Sequence, residues 1–127
     1  MNSALMKQSL LSVLELYEWE LQQVPFVNSV IGRHVYACMA RQILQARASG
    51  GSVRSVKSVL SSPNFTDRAI RLKIREMERE GYLQSVSHEQ DKRVRQLVPS
   101  DKLVALVERH AEAMTRIMDR EFIVLPK

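Results

Sequence analysis

Apolar residues recur at three- and four-residue steps along most of the chain, the period of a helix with one apolar face. Over residues 4–24 such a stripe runs through Leu10, Val13, Leu14, Tyr17, Leu21 and Val24. Ser3 is placed to cap this helix and Pro25 to stop it. A second helix is predicted over residues 28–47, with Ile31, Val35, Cys38, Met39, Ile43 and Ala46 in line and Gln42 as the one polar interruption. Ser49, Gly50 and Gly51 end it, because glycine can close a helix at positive φ. A short third helix is expected to open at Ser52, with Val53, Val56, Val59 and Leu60 on one side, before a turn at residues 61–64. Thr66 then caps a longer helix reaching Glu80. Asp67 faces the positive end of its dipole, and Gly81 closes it.

Beyond Gly81 the period changes. Residues 82–86 and 94–98 alternate as strands do. The polar run between them, residues 88–93, lacks the two-residue signature of a tight hairpin and predicts a longer, exposed wing. Pro99 ends the second strand and Ser100 caps a last helix from residue 101 to about 121. Its apolar positions are Leu103, Leu106, Val107, Ala113, Met114, Ile117 and Met118, and an apolar tail follows at 122–125.

Short helix, turn, longer helix, glycine, strand, polar loop, strand is the order of a winged helix-turn-helix. The predicted fold class is mainly α with a small β-wing, the winged unit lying between N- and C-terminal helices. A helix fits the major groove of B-DNA, and the helix before it braces it across the backbone. On the helix over residues 66–80, Ile70, Ile74 and Met77 share a core-facing side. Arg68, Arg71 and Arg75 project away from that seam, and Lys73 lies toward its edge. An arginine there can donate two hydrogen bonds to guanine, or hold a phosphate and position the protein without reading sequence.

Composition narrows the reading. The chain has 127 residues, 45% apolar and 26% charged, the values of one compact folded domain over 1–127. No uninterrupted apolar run approaches the roughly 18 residues of a membrane span. Residues 1–7 lack the charged leader and apolar core of a secretory signal. One cysteine, Cys38, cannot form an internal disulfide, which fits a reducing, cytosolic compartment. The net charge of +5 is unevenly spread. Residues 52–95 hold ten basic and six acidic side chains, whereas residues 1–51 hold four and three and residues 96–127 five and five. A basic module between near-neutral apolar flanks favours a polyanionic partner.

Other chemistry is thinly represented. His34, His88 and His110 have no cysteine or carboxylate at metal-ligand spacing. Cys38 sits on an apolar stripe and reads as a small core residue before a redox sensor. Tyr17, Trp19 and the methionines read as packing rather than a ligand box. There is no glycine-rich phosphate loop, nucleophile elbow or zinc-type His/Glu pairing. No enzymatic activity, metal or cofactor is expected.

Over residues 52–104 the chain resembles the MarR family of bacterial winged-helix regulators. The resemblance is carried by Ser52-Val53, Thr66-Asp67-Arg68-Ala69-Ile70-Arg71, Met77-Glu78-Arg79-Glu80-Gly81-Tyr82-Leu83, the Asp-x-Arg wing signature Asp91-Lys92-Arg93, and the Pro99-Ser100 helix start. It implies that Arg93 enters the minor groove with Asp91 orienting it. It also implies a homodimer made by both chain ends, here residues 4–24 and 101–125, around a DNA-binding core at 52–99. Family members usually carry a basic residue near the start of the first wing strand, where this chain has Ser85. The expected DNA-contacting set is Thr66, Arg68, Arg71, Arg75, Lys92, Arg93 and Arg95. The recognition helix would be 66–80 and the wing 87–94. The expected partner is double-stranded DNA, with room for a small-molecule effector and no membrane. Two alternatives use the same fold: an adaptor that contacts protein, and a nucleoid-like protein that binds DNA with little sequence preference.

Overall fold

A computed structural model describes residues 3–49, 54–55, 64–87, 90, 93 and 95–121. In chain order these form α1 (Ser3–Gln23), α2 (Val30–Ser49), β1 (Arg54–Ser55), α3 (Asp67–Arg79), β2 (Leu83–Ser87), β3 (Arg95–Pro99) and α4 (Asp101–Glu121). The mainly helical winged architecture is the expected one.

One expectation is corrected. The helix predicted to open at Ser52 is absent at Arg54 and Ser55, which form a strand paired with Leu97 and Gln96. The sheet is therefore antiparallel with three strands, in the order β1-β3-β2. The reason is the far edge of β3, whose N–H and C=O groups would otherwise lack ladder partners. Val53, Val56, Val59 and Leu60, which were to line that helix, lie outside the described residues.

The core gathers where α2, α3, α4 and the sheet meet. Val35, Met39, Ile70, Leu97 and Leu103 are fully buried there. The turn between α1 and α2 plugs one end with Val24, Phe26 and Val27. Ser29 caps α2 by accepting a hydrogen bond from the Gly32 N–H at 3.0 Å. Gly32 must be glycine, because a Cβ would stand 2.7 Å from the Phe26 carbonyl oxygen.

Both ends of α3 are fixed. Thr66 accepts from the Ala69 N–H at 3.2 Å. At the other end Gly81 takes φ of 83°, and the Gly81 and Tyr82 N–H groups close onto the Glu78 and Met77 carbonyls at 3.0 and 2.9 Å. Ser100 ties this corner to α4: its hydroxyl donates to the Tyr82 carbonyl and accepts from the Leu103 N–H. Lys102 reaches back over the Tyr82 ring and donates to the Glu80 carbonyl at 2.9 Å. The helix that carries the arginines is thus held at both termini, with Ile70, Ile74 and Met77 seated in the core.

Candidate nucleic-acid interface

At about 100° per residue, the side of α3 opposite its core seam carries Arg68, Leu72, Arg75 and Arg79. Arg71 lies on the flank turned toward Glu78. Arg68, Arg71 and Arg75 are all exposed, as the sequence predicted. The Thr66 hydroxyl oxygen accepts the capping hydrogen bond and keeps its proton to donate elsewhere. Lys73 is drawn sideways into a 2.9 Å ion pair with Glu76, whose carboxyl is held below its usual range by the lysine's hydrogen bond and charge. That pair leaves the arginine face without an intervening acid along the Arg68-Arg75 line.

The hairpin brings a further cation beside α3. Arg95 opens β3 opposite Ser87. Its guanidinium donates to the Ser85 hydroxyl at 3.2 Å, the Ser85 carbonyl at 2.9 Å and the Ser87 hydroxyl at 3.1 Å. This fan fixes a five-donor group on an exposed strand. Arg95 then shares one open cleft with Arg71, Arg75, Glu78 and Ser85. Ser85 marked a missing basic residue in the sequence, and the structure fills that place from the neighbouring strand. Arg93 is exposed, while Asp91 and Lys92 lie outside the described residues.

Sequence reasoning passed over Ser85 and Ser87 as holders of Arg95, and Leu72 and Arg79 on the outer face of α3. The strand alternation could have flagged the serines, since Ser85, Ser87 and Arg95 fall on one side of the hairpin once its register is known.

A second polar cluster lies away from the arginines, where α1, α2 and α4 meet. Tyr36 Oη and His110 Nδ1 are 2.7 Å apart, and His110 Nε2 is 2.8 Å from a Glu20 oxygen. Burial, with the Glu20 charge adding to it, pushes the Tyr36 phenol up to about 12. A carboxylate only accepts, so the Glu20 contact is made by an N–H on Nε2. The Trp19 ring stacks on the imidazole at 5.4 Å. The cluster is a structural clasp. No group of His, Cys, Asp and Glu among the described residues has the makings of a metal site. Cys38 is half-buried against the core. No described helix is long and apolar enough to cross a membrane.

The sequence matches no protein-family model and no curated protein. Solved structures do match. The heme sensor protein PefR from Streptococcus agalactiae, in complex with heme, superposes with a TM-score of 0.58 at 12% identity, over 100% of this chain and 84% of that one. AbsC, a MarR family transcriptional regulator from Streptomyces coelicolor, gives 0.58 at 15% identity, over 96% of this chain and 76% of that one. A MarR family transcriptional regulator from Rhodococcus sp. RHA1 gives 0.55 at 11%, over 98% and 79%. At such identities the likeness is one of fold, and it spans both terminal helices as well as the winged core: the chain has the winged-helix fold of the MarR-type transcriptional regulators.

Proposed function

We propose that the chain is a dimeric transcriptional regulator that binds specific sequences in double-stranded DNA. Residues 66–80 enter the major groove and the wing, residues 87–94, reaches the adjacent minor groove. The reading places the protein in the cytoplasm, at the nucleoid. The observation that carries it is the cationic surface formed by Arg68, Arg71 and Arg75 on a helix fixed at both ends, extended by an Arg95 that three hydrogen bonds hold in place. A helix fixed at both ends can carry its arginines to phosphates and base edges together, and at Arg95, already held, less side-chain entropy remains to be lost on binding.

The dimer part of the reading is supported by α1. Leu10, Val13, Leu14, Tyr17 and Leu21 form the apolar stripe seen in the sequence, and each is 42–58% exposed, so the stripe faces outward. The inward side of α1 is Ser12, Leu16 and Trp19. Two linked domains reading half-sites about one helical turn apart discriminate far better than one domain.

The test is selection of bound duplexes from a random pool, followed by a salt titration on the enriched sequence. A palindromic motif, and an affinity that falls steeply with salt, are expected. Enrichment without a motif would assign the chain to the nucleoid-like class. Absence of binding at low salt would assign it to the protein-binding adaptors.

A further inference from the structure

The outer face of α3 holds one residue that a phosphate-binding surface does not need. Leu72 is 52% exposed and is the only exposed large apolar side chain on α3 among the described residues. It lies about 200° round the helix from Ile70, almost opposite the core seam. Arg68, Arg71 and Arg75 surround it, and the four side chains line one shallow concavity. The rest of the exposed face is charged, so no continuous apolar patch extends from Leu72 to a protein-binding surface.

We propose that Leu72 reads a thymine methyl group in the major groove, and so determines specificity at one position of each half-site. This rests on the DNA-binding reading above. A leucine can neither hold a phosphate nor bond a base edge. In a docked complex its neighbours bring it to the groove floor, where it loses water. Set over the amino or carbonyl edge of a base, it would strand a polar group without a partner. The one apolar group that a base pair presents in that groove is the C5-methyl of thymine. Leu72 over that methyl buries apolar surface on both sides, whereas cytosine at the same place offers a hydrogen atom and a nearby amino group. The flanking arginines fix the register at which the contact is made.

The experiment uses the duplex enriched from the random pool, with each thymine of the motif replaced in turn by deoxyuridine. Uracil keeps every hydrogen-bonding atom of thymine and lacks only the methyl. The wild-type protein should lose about fourfold in affinity at one thymine per half-site, the value of one buried methyl-sized group. Leu72→Ala should bind the thymine duplex about as weakly as wild type binds the uracil one, and should show no further loss on substitution. Leu72→Met should keep the thymine preference, and both variants should melt with wild type because the side chain lies outside the core. The proposal is overturned if wild type is indifferent to every thymine-to-uracil change, or if Leu72→Ala retains full sensitivity, which would assign the effect to the DNA's own shape. A pool that yields no motif would instead remove the specific-binding reading on which the proposal stands.

Discussion

Ser12 is completely buried in α1, on the side that packs toward α4, and its hydroxyl has no hydrogen-bond partner among the described residues. A buried donor left unpaired costs about 1–3 kcal/mol. Ser12→Ala removes that cost and little volume, so it should raise the unfolding free energy by about 1 kcal/mol. Denaturant melts would show a higher midpoint at unchanged slope; a lower midpoint would mean that the hydroxyl is satisfied. Tyr36 makes a prediction in pH. Its folded-state pKa is pushed from 10.0 up to about 12, by burial first and the Glu20 charge second. The folded protein therefore holds a proton that the unfolded chain releases. Stability from this group is complete below pH 10 and declines as pH rises toward 12. Phenolate absorbance should show one late tyrosine, and Tyr36→Phe should remove both that step and the matching loss of stability. Single-residue capping was legible in the sequence: Thr66, Gly81 and Ser100 act where local chemistry places them. The Glu20-His110-Tyr36 clasp was not, because its partners stand 90 and 74 residues apart and no local pattern links them.

At the scale of elements, legibility follows how much of each element is decided locally. α3 combines strict apolar periodicity, an N-cap, an acid in its first turn and a closing glycine, and its predicted bounds and core face agree with the structure. β1, Arg54–Ser55, is held by its pairing with β3, which no local pattern announces; the valines at helical spacing around it lie outside the described residues. The α1 stripe was legible as a period but not as a direction, since apolar residues line an inward and an outward side alike. The wing strands were found within one residue, yet their register decides which side chains meet, and only the register shows Arg95 held by Ser85 and Ser87. That contact yields a paired prediction. Arg95→Ala should lower the slope of log affinity against log salt by about one unit per protomer, with folding unchanged. The Ser85→Ala, Ser87→Ala double variant keeps the charge and loosens its placement. It should weaken binding at nearly the same salt slope. An equal slope for wild type and Arg95→Ala would take Arg95 out of the interface.

For the whole molecule, the question is what covers α1. Met6, Leu10, Val13, Leu14, Tyr17 and Leu21 recur along one side over about four turns, and all are exposed. Scattered exposed leucines are ordinary, but a continuous stripe of this length on a helix marks a contact surface. A two-fold interface needs a patch complementary to itself, and a straight apolar stripe on a terminal helix meets that need by packing against its own copy. The opposite side of α1 is held to α4 through the His110-Glu20 pair and the Trp19 stack, and α2 joins through Tyr36. An interface on α1 therefore sets the orientation of α2, and through the shared core that of α3. In the proposed dimer, the packing of α1 and the spacing of the two copies of α3 would in this way be one mechanical property. Leu14→Glu places a carboxylate in the middle of the stripe, facing its symmetry mate or close to it. Because Leu14 is 48% exposed in the single chain, the fold should survive, with unchanged circular dichroism. Sedimentation should show wild type as a dimer at tens of micromolar, on the order of the weak end of specific association, and Leu14→Glu as a monomer. Affinity for a two-half-site duplex should fall in the variant, while affinity for a single half-site stays that of wild type. A wild-type monomer at that concentration, or a Leu14→Glu dimer, would place the partner of this stripe elsewhere than on a second copy of the chain.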